Sequence, residues 1–539
     1  MQATNSQQGW YLADQSPMIG GSGLADALHA LDRDVAIVQT PQGIGWACGG
    51  APILTGPAAR PAGTDALALI AWVGPLLPSQ LGAASFRTTY GVRANYIAGA
   101  MANGIGSEEI VIAMAKMGLM GIFGAAGLPP ERISRAIDRI QQQVGNGAYG
   151  FNLIHSPNEA GAEDATVDLY LSRGVRVISA SAYSKLTPAL VRYRLAGLSV
   201  SPHGGVLAAN RILAKVSRPE VAEAFLRPAP DRMVQALVQS GHITAEQARL
   251  SAHIPMADDL TAEADSGGHT DRRPLPVLLP LLLALRDRVG AELGLPHGVR
   301  VGAAGGLGTP ASVAAAFALG ADYVLTGTVN QACVEAGTSP MVKAMLAEAG
   351  AADIGMAPAG DMFEQGSEVQ VLKRGTLFPQ RASKLREWYR RYDRIEDLTP
   401  SEREELVKIL GREVDSVWAE CEGFFAARDP AQLERATRDP RHKMALIFRW
   451  YLGLSSRWAI GGDEGRRIDT QIWCGPAIGS FNDWTRGTFL ADPTARRVDV
   501  VAANLMSGAA ALLRARALEQ QGVVLDPAAK TWAPRPLSS

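Results

Sequence analysis

Val301-Gly-Ala-Ala-Gly-Gly-Leu-Gly-Thr-Pro310 is an apolar run that breaks on glycines and enters a helix at Thr309-Pro310, and Leu325-Thr-Gly-Thr-Val-Asn-Gln331 repeats the pattern shortly after it. Glycine lets backbone approach a ligand closely. The free amides at the start of a helix suit a phosphate. Two such turns, after the last two strands, form the phosphate site typical of a (β/α)8 barrel. The bland alternative is a pair of tight strand-to-helix turns with no ligand. A Rossmann nucleotide fold is disfavoured, because no GxGxxG follows a first strand with an acid about twenty residues on.

Working outward, short apolar runs alternate with helical patterns from Ala94 to about Thr328. The runs predict strands at Asn95–Met101, Gly121–Phe123, Gly150–Ile154, Val175–Ser179, Ile212–Val216, Ile254–Leu260, Val299–Ala303 and Tyr323–Thr326. Repeated strand–helix units imply a parallel sheet, and this number of units fits one TIM barrel. The fold class is therefore α/β. Residues 1–93, rich in Gly and Pro, read as a small β-rich unit, and 94–372 as the barrel. Residues 373–457 turn charged, aromatic and helical, an insertion rather than part of the barrel; 458–539 return to the barrel with its last helix and a tail. Amphipathic helices are expected over Arg381–Arg394 and Glu402–Glu420, with Thr399-Pro400-Ser401-Glu402 as a cap between them.

The 539 residues are 47% apolar and 19% charged, enough for a sizeable core and against disorder. The net charge of −1 gives no argument for nucleic acid or an anionic membrane. Cys48, Cys333, Cys421 and Cys474 form no CxxC pair, which speaks against a disulfide framework or a cysteine zinc site. No metal site is read. Met1-Gln-Ala-Thr-Asn5 lacks a basic start and apolar core, so no leader is expected and the cytoplasm is the expected compartment. The greasiest stretch, Leu275–Leu285, contains Pro276 and Pro280 and is about half a membrane span, so a buried helix is expected and no membrane partner.

Barrel active sites form at the C-terminal ends of the strands. Gly305, Gly306, Gly327 and Thr328 are the phosphate-loop residues. The loop Glu263-Ala-Asp-Ser-Gly-Gly-His-Thr-Asp-Arg-Arg-Pro274 follows the sixth strand. In it His269 stands after Gly267 and Gly268, which bring backbone near a ligand, and Asp265 and Asp271 can fix its tautomer or raise its pKa. An imidazole so placed can donate to a substrate carbonyl or supply a proton. Met101 and Ala102 can pass backbone against a flat ring, and Asn103 and Asn152 can bond its polar edge. Lys215 ends the fifth strand and can face an electron-accepting ring or a phosphate; its alternative is a partner for a barrel carboxylate.

Ala100-Met-Ala-Asn-Gly104, Gly150-Phe-Asn-Leu153, Ser266-Gly-Gly-His-Thr270, Ala304-Gly-Gly-Leu-Gly308 and Thr326-Gly-Thr328 resemble the nitronate monooxygenase and enoyl-ACP reductase II superfamily of FMN barrels. The chain as a whole is similar to the PfaD-type subgroup, reductases that serve polyunsaturated fatty acid and polyketide synthases in trans. That likeness includes Gln39-Thr-Pro-Gln-Gly-Ile-Gly45, Ala214-Lys-Val-Ser-Arg-Pro219, Gln370-Val-Leu-Lys-Arg-Gly-Thr-Leu-Phe-Pro379, Arg449-Trp-Tyr-Leu-Gly-Leu454 and Gly475-Pro-Ala-Ile-Gly-Ser-Phe-Asn-Asp-Trp484. The resemblance implies bound FMN. Its phosphate would lie on Gly305, Gly306, Gly327 and Thr328, and its ring would face Met101, Asn103, Asn152 and Lys215, with Gly268 alongside. It implies His269 as the active-site histidine and NADPH as co-substrate, with NADH left open. The implied reaction is reduction of the α,β double bond of an enoyl thioester on an acyl carrier protein. A homodimer stays open. The rivals are a nitroalkane-type flavin oxidase, which the barrel motifs share, and a non-catalytic synthase subunit. In the insertion, Arg381, Lys384, Arg386, Arg390, Arg391 and Arg394 form a basic run that can dock an acidic carrier; alternatively these charges pair with acids such as Glu387, Asp393, Glu396 and Asp397.

Overall fold

Eight short strands close into one parallel barrel. They are β1 (Tyr96–Ala98), β2 (Met120–Phe123), β3 (Tyr149–Ile154), β4 (Val177–Ser181), β5 (Arg211–Val216), β6 (Asp259–Glu263), β7 (Arg300–Ala304) and β8 (Val324–Thr326). β8 pairs with β1 through Leu325 and Ile97, which closes the ring. The computed structural model describes residues 2–3, 7–54, 60–61, 64–155, 161–294 and 298–537. Of Met1 to Asn5, on which the leader reading rests, only Gln2 and Ala3 are among them.

Alternation along each strand sorts the side chains. Ile97, Met120, Ile122, Leu213 and Leu325 share one cluster in the barrel lumen, while Ala98, Phe123, Ile212 and Val324 join the larger cluster under the helices. The helix Ala84–Tyr90 plugs the N-terminal end. There Phe86 stacks on Tyr323 at 4.6 Å between ring centres, and the Tyr90 hydroxyl donates to buried Asp259. This end is sealed, so chemistry is left to the opposite mouth.

The sixth strand starts five residues later and ends three residues later than the apolar run Ile254–Leu260 predicts. The acids Asp258 and Asp259 do not end it. Arg300 Nε reaches Asp259 Oδ1 at 2.5 Å, and Arg194 Nη1 reaches Asp258 Oδ2 at 2.6 Å. Buried carboxylates are tolerated when paired in this way.

Ahead of the barrel, residues 9–73 carry a six-stranded antiparallel sheet. Helix α1 (Leu275–Leu293) buries Leu278, Leu279, Leu282 and Leu285 but leaves Val277 and Leu281 exposed, so only one face of that greasy stretch is core. Helix α2 (Pro310–Ala318) follows β7. After β8 the chain forms β9 (Ile354–Pro358) and β10 (Glu368–Leu372), then a run of helices: α3 (Phe378–Arg391), α4 (Pro400–Leu410), α5 (Val414–Arg428), α6 (Pro430–Arg438) and α7 (Pro440–Gly461). The single helix predicted over Glu402–Glu420 is two, because Gly411 takes a left-handed φ of 72° and ends α4. Helix α8 (Val498–Gln520) then packs against both α2 and the helix Glu108–Lys116 that follows β1, completing the helical ring. α8 is the one described helix long and apolar enough to span a bilayer; two thirds of its apolar window is buried inside the fold.

The insertion has its own core, with Phe378, Leu385, Trp388, Phe448 and Tyr451 in one cluster. Asp469, 2% exposed, ties it together. It accepts from Tyr451 Oη at 2.8 Å and Arg466 Nη1 at 3.2 Å, and also pairs with Arg381. Removing one member of a buried charged network strands the others. Asp469→Ala is therefore expected to destabilise the insertion by about 3–5 kcal/mol, read by urea unfolding. A loss below about 1 kcal/mol, the scale of an exposed pair, would show that the hub is ornamental.

Candidate active site

The turn after β7 needs two left-handed residues in succession, Gly305 at φ 90° and Gly306 at φ 71°. At Gly305 a Cβ would lie 2.7 Å from the Ala264 carbonyl carbon, so side chains are excluded there by close packing of neighbouring loops. At Gly306 and at Gly327, after β8, a Cβ would meet nothing within 4 Å. The two turns thus leave open space at these two positions. The helix end beside it is partly self-satisfied: Thr309 Oγ1 accepts from Ser312 N at 3.2 Å, and Ser312 Oγ accepts from Gly308 N at 3.2 Å. A phosphoryl group at this place would rest on the glycine turns rather than on the capped helix.

The return segment roofs these turns. Gly475 N donates to Thr328 Oγ1 at 3.1 Å, and a Cβ on Gly308 would strike Ala477 O at 2.3 Å. Gly267 runs against the Cys474 backbone, where a Cβ would come within 2.7 Å. The sequence reading used residues 475–484 only as a mark of resemblance; the structure puts their first half at the mouth.

The other expected ligand residues occupy the ends of β1, β3 and β5. Met101 O accepts from Gly106 N at 2.9 Å, and Gly124 passes so near that a Cβ would overlap Met101 O. Asn103 adopts φ 57°, with its Oδ1 turned toward Gly127. Asn152 is buried and donates through Nδ2 to Ser179 O at 3.1 Å and Ser181 Oγ at 3.3 Å. Lys215 Nζ lies 2.6 Å from Glu263 Oε1, the carboxylate alternative of the sequence reading, and both side chains are mostly buried. Among the described residues, the buried Ser179 Oγ, Ser266 Oγ and Gln370 Oε1 have no hydrogen-bond partner. Leaving such atoms unmet costs about 1–3 kcal/mol each.

His269 stands on the short strand Gly268–His269, which pairs with β10, and Gly268 has φ 81°. Its Nε2 is 3.1 Å from Asp361 Oδ2, and the side chain remains 43% exposed. The Asp361 hydrogen bond raises the imidazole pKa against the opposing effect of burial, and the Glu263 charge adds to the rise. Burial works to raise the Asp361 carboxyl, but the imidazole holds it below the ordinary range. The flanking acids are not the partners that the sequence suggests. Asp271 is held by Arg218 at 3.0 Å and by Ser217, while Asp265 Oδ1 accepts from Gln370 Nε2 at 3.0 Å. Asp361 sits just past β9, 92 positions along the chain from His269. A lone acid after Ala359-Gly360 has no local signature, so only the pairing of β10 with Gly268–His269 reveals it.

The basic run of the insertion is largely spent in ion pairs. Arg381 meets Asp469, Lys384 meets Glu387, Arg386 meets Glu368, Arg391 meets Glu402 and Arg394 meets Asp397. The paired-helix alternative describes α3 better than a docking stripe does.

With Nε2 given to Asp361, Nδ1 is the atom His269 can offer a ligand. The neutral ring offers an acceptor there; the imidazolium offers a donor. Asp361→Asn should lower the His269 pKa by roughly 1 unit, the low end for losing an adjacent opposite charge, as read by NMR titration of the ring. An unmoved titration would remove Asp361 as its partner.

Two family descriptions match the chain: nitronate monooxygenase over residues 92–396, and the inserted helical domain of [acyl-carrier-protein] S-malonyltransferase over 392–470. A polyunsaturated fatty acid synthase polypeptide of Thraustochytrium sp. is 51% identical over 78% of this chain and 28% of that protein. The polyketide biosynthesis protein PksE of Bacillus subtilis is 45% identical over 81% of this chain and 57% of that protein. The chain thus spans between about a quarter and three fifths of the length of these curated relatives. The crystal structure of the enoyl reductase domain of MlnA, from the macrolactin cluster of Bacillus amyloliquefaciens, superimposes with a TM-score of 0.78. It is 39% identical, covering 82% of this chain and 99% of that one. With the barrel, the paired glycine turns and the inserted helices in place, this protein belongs to the nitronate monooxygenase family, in its PfaD-type enoyl reductase branch.

Proposed function

We propose that the protein is a cytoplasmic, FMN-dependent enoyl reductase that uses NADPH to saturate the α,β double bond of acyl thioesters on a carrier protein, in trans, for a polyketide or polyunsaturated fatty acid synthase. The observation that carries this reading is the open space at Gly306 and Gly327, on the barrel mouth that also carries a histidine whose pKa Asp361 raises. The relatives named for such synthases and the MlnA enoyl reductase domain support it.

The residues fit the cofactor. The glycine turns and the Thr328 hydroxyl offer a phosphate cradle, and the unpartnered Ser179 Oγ, Ser266 Oγ and Gln370 Oε1 offer polar contacts for a ring edge. Lys215, tethered to Glu263, would set a cation at the end of β5. A flavin held there would supply the hydride transfer between the nicotinamide and the β-carbon of the enoyl thioester. His269 would donate from Nδ1 to the thioester oxygen as enolate charge develops, and a proton then completes the α-carbon. The roof made by Cys474 to Ala477 would keep bulk water from the turns.

Donation by His269 is fullest below its raised pKa and is lost as pH rises through that pKa, so kcat/KM is expected to fall on the alkaline side. His269→Ala should retain FMN yet lose at least about tenfold in enoyl reduction; near-normal turnover would take His269 out of the mechanism. Gly327 has no left-handed φ and open space at its Cβ, so Gly327→Ala, which avoids a β-branched side chain, should fold normally. It should weaken FMN binding at least about tenfold, roughly 1.4 kcal/mol, by fluorescence titration; unchanged affinity would move the phosphate elsewhere. The reaction itself is tested anaerobically: NADPH consumption should match loss of carrier-bound enoyl thioester. NADPH oxidation that requires oxygen and spares the thioester would point to an oxidase instead.

A further inference from the structure

Arg449 heads the run Arg449-Trp-Tyr-Leu-Gly-Leu454 on α7. Its guanidinium reaches the loop that carries Asp361. Nε donates to Gly360 O at 3.1 Å, and Nη1 donates to Glu364 Oε1 at 3.3 Å. The loop also presses on α7 directly, since a Cβ on Gly360 would lie 3.1 Å from Leu452 Cβ. Phe363, 1% exposed, anchors the far side against Tyr389 and Phe448. Asp361 lies between the two points that Arg449 grips. A planar guanidinium with fixed prongs suits such a two-point hold, and lysine does not reproduce it.

We infer that Arg449 is a positioning residue for His269: by gripping Gly360 and Glu364 it fixes the turn from which Asp361 reaches the imidazole. The inserted helices thereby help to set the charge state of a barrel histidine. The charged groups facing His269 are few. Asp361 comes from the loop after β9, and Glu263, held by Lys215, comes from the end of β6. Asp271 is taken by Arg218, and Asp265 by Gln370. Loss of Asp361's grip leaves Glu263 as the remaining acid acting on the ring.

The sign separates positioning from simple electrostatics. Removing the Arg449 cation by itself stabilises a nearby imidazolium and moves the His269 titration up. Releasing Asp361 moves it down. The catalytic consequence rests on the role of His269 proposed above, whereas the titration does not.

The test is NMR titration of histidine-labelled whole chain carrying R449Q, R449K, D361N or R449Q with D361N. R449Q should lower the His269 midpoint by at least about half a unit, a fraction of the D361N effect, and R449K should lower it by less. The double variant should match D361N alone, because the two act through one contact. An R449Q midpoint that stays or rises overturns the inference, as does additivity in the double variant. Circular dichroism reports folding of each chain. Should R449Q fail to fold, R449K decides, and an R449K midpoint equal to the parent's overturns it. A shifted midpoint in a protein that reduces no enoyl thioester would leave the positioning role standing and remove the proposed reaction.

Discussion

The site depends on the chain coming back. Between β8 and α8 the backbone leaves the barrel, builds β9, β10 and the inserted helices, and returns through Trp473 to Ser480. On its return it lies against Gly267, donates from Gly475 to Thr328, and covers Gly308. Three loops that sterics would otherwise leave independent are thereby packed on one another. Glycine stands at each contact because a side chain would separate the surfaces by the width of a methyl group or more. The His269 loop, both glycine turns and the exit of the insertion share this one seam.

From that seam the division of labour follows. The barrel supplies strand ends whose backbone forms the cradle, and its opposite end is closed by Phe86, Tyr90 and the Asp259–Arg300 pair. The insertion supplies charge. Its buried Asp469 gathers Arg381, Arg466 and Tyr451 into a rigid base, and α7 projects Arg449 onto the loop of Asp361. The pKa of a half-exposed imidazole is raised by an acid that belongs to a different part of the chain.

Much of the barrel was legible because its strands are short apolar runs cut by glycine and proline, and the turn after β7 is legible because few uses of Gly-Gly-x-Gly before a capped helix exist. Where the reading slipped, a local rule met a distant partner. The apolar run Ile254–Leu260 looked like the whole sixth strand, yet Arg194 and Arg300 neutralise Asp258 and Asp259 and β6 starts at Asp259. Asp265 and Asp271 looked like the partners of His269 because they are adjacent in sequence, yet Gln370 and Arg218 claim them. Asp361 was invisible for the same reason in reverse. The basic face of α3 was readable as a helix with paired charges, but not which acids pair with it, since several lie far along the chain. Gly411 splits a helical pattern that charge periodicity alone runs together.

The central claim is that the glycine cradle holds a flavin whose reducible ring opens beside His269. The visible spectrum of the purified protein tests it most directly. The account predicts yellow protein with FMN bands that bleach with NADPH under nitrogen and return when crotonyl thioester is added. Protein that is colourless, and stays so after incubation with FMN, would contradict it.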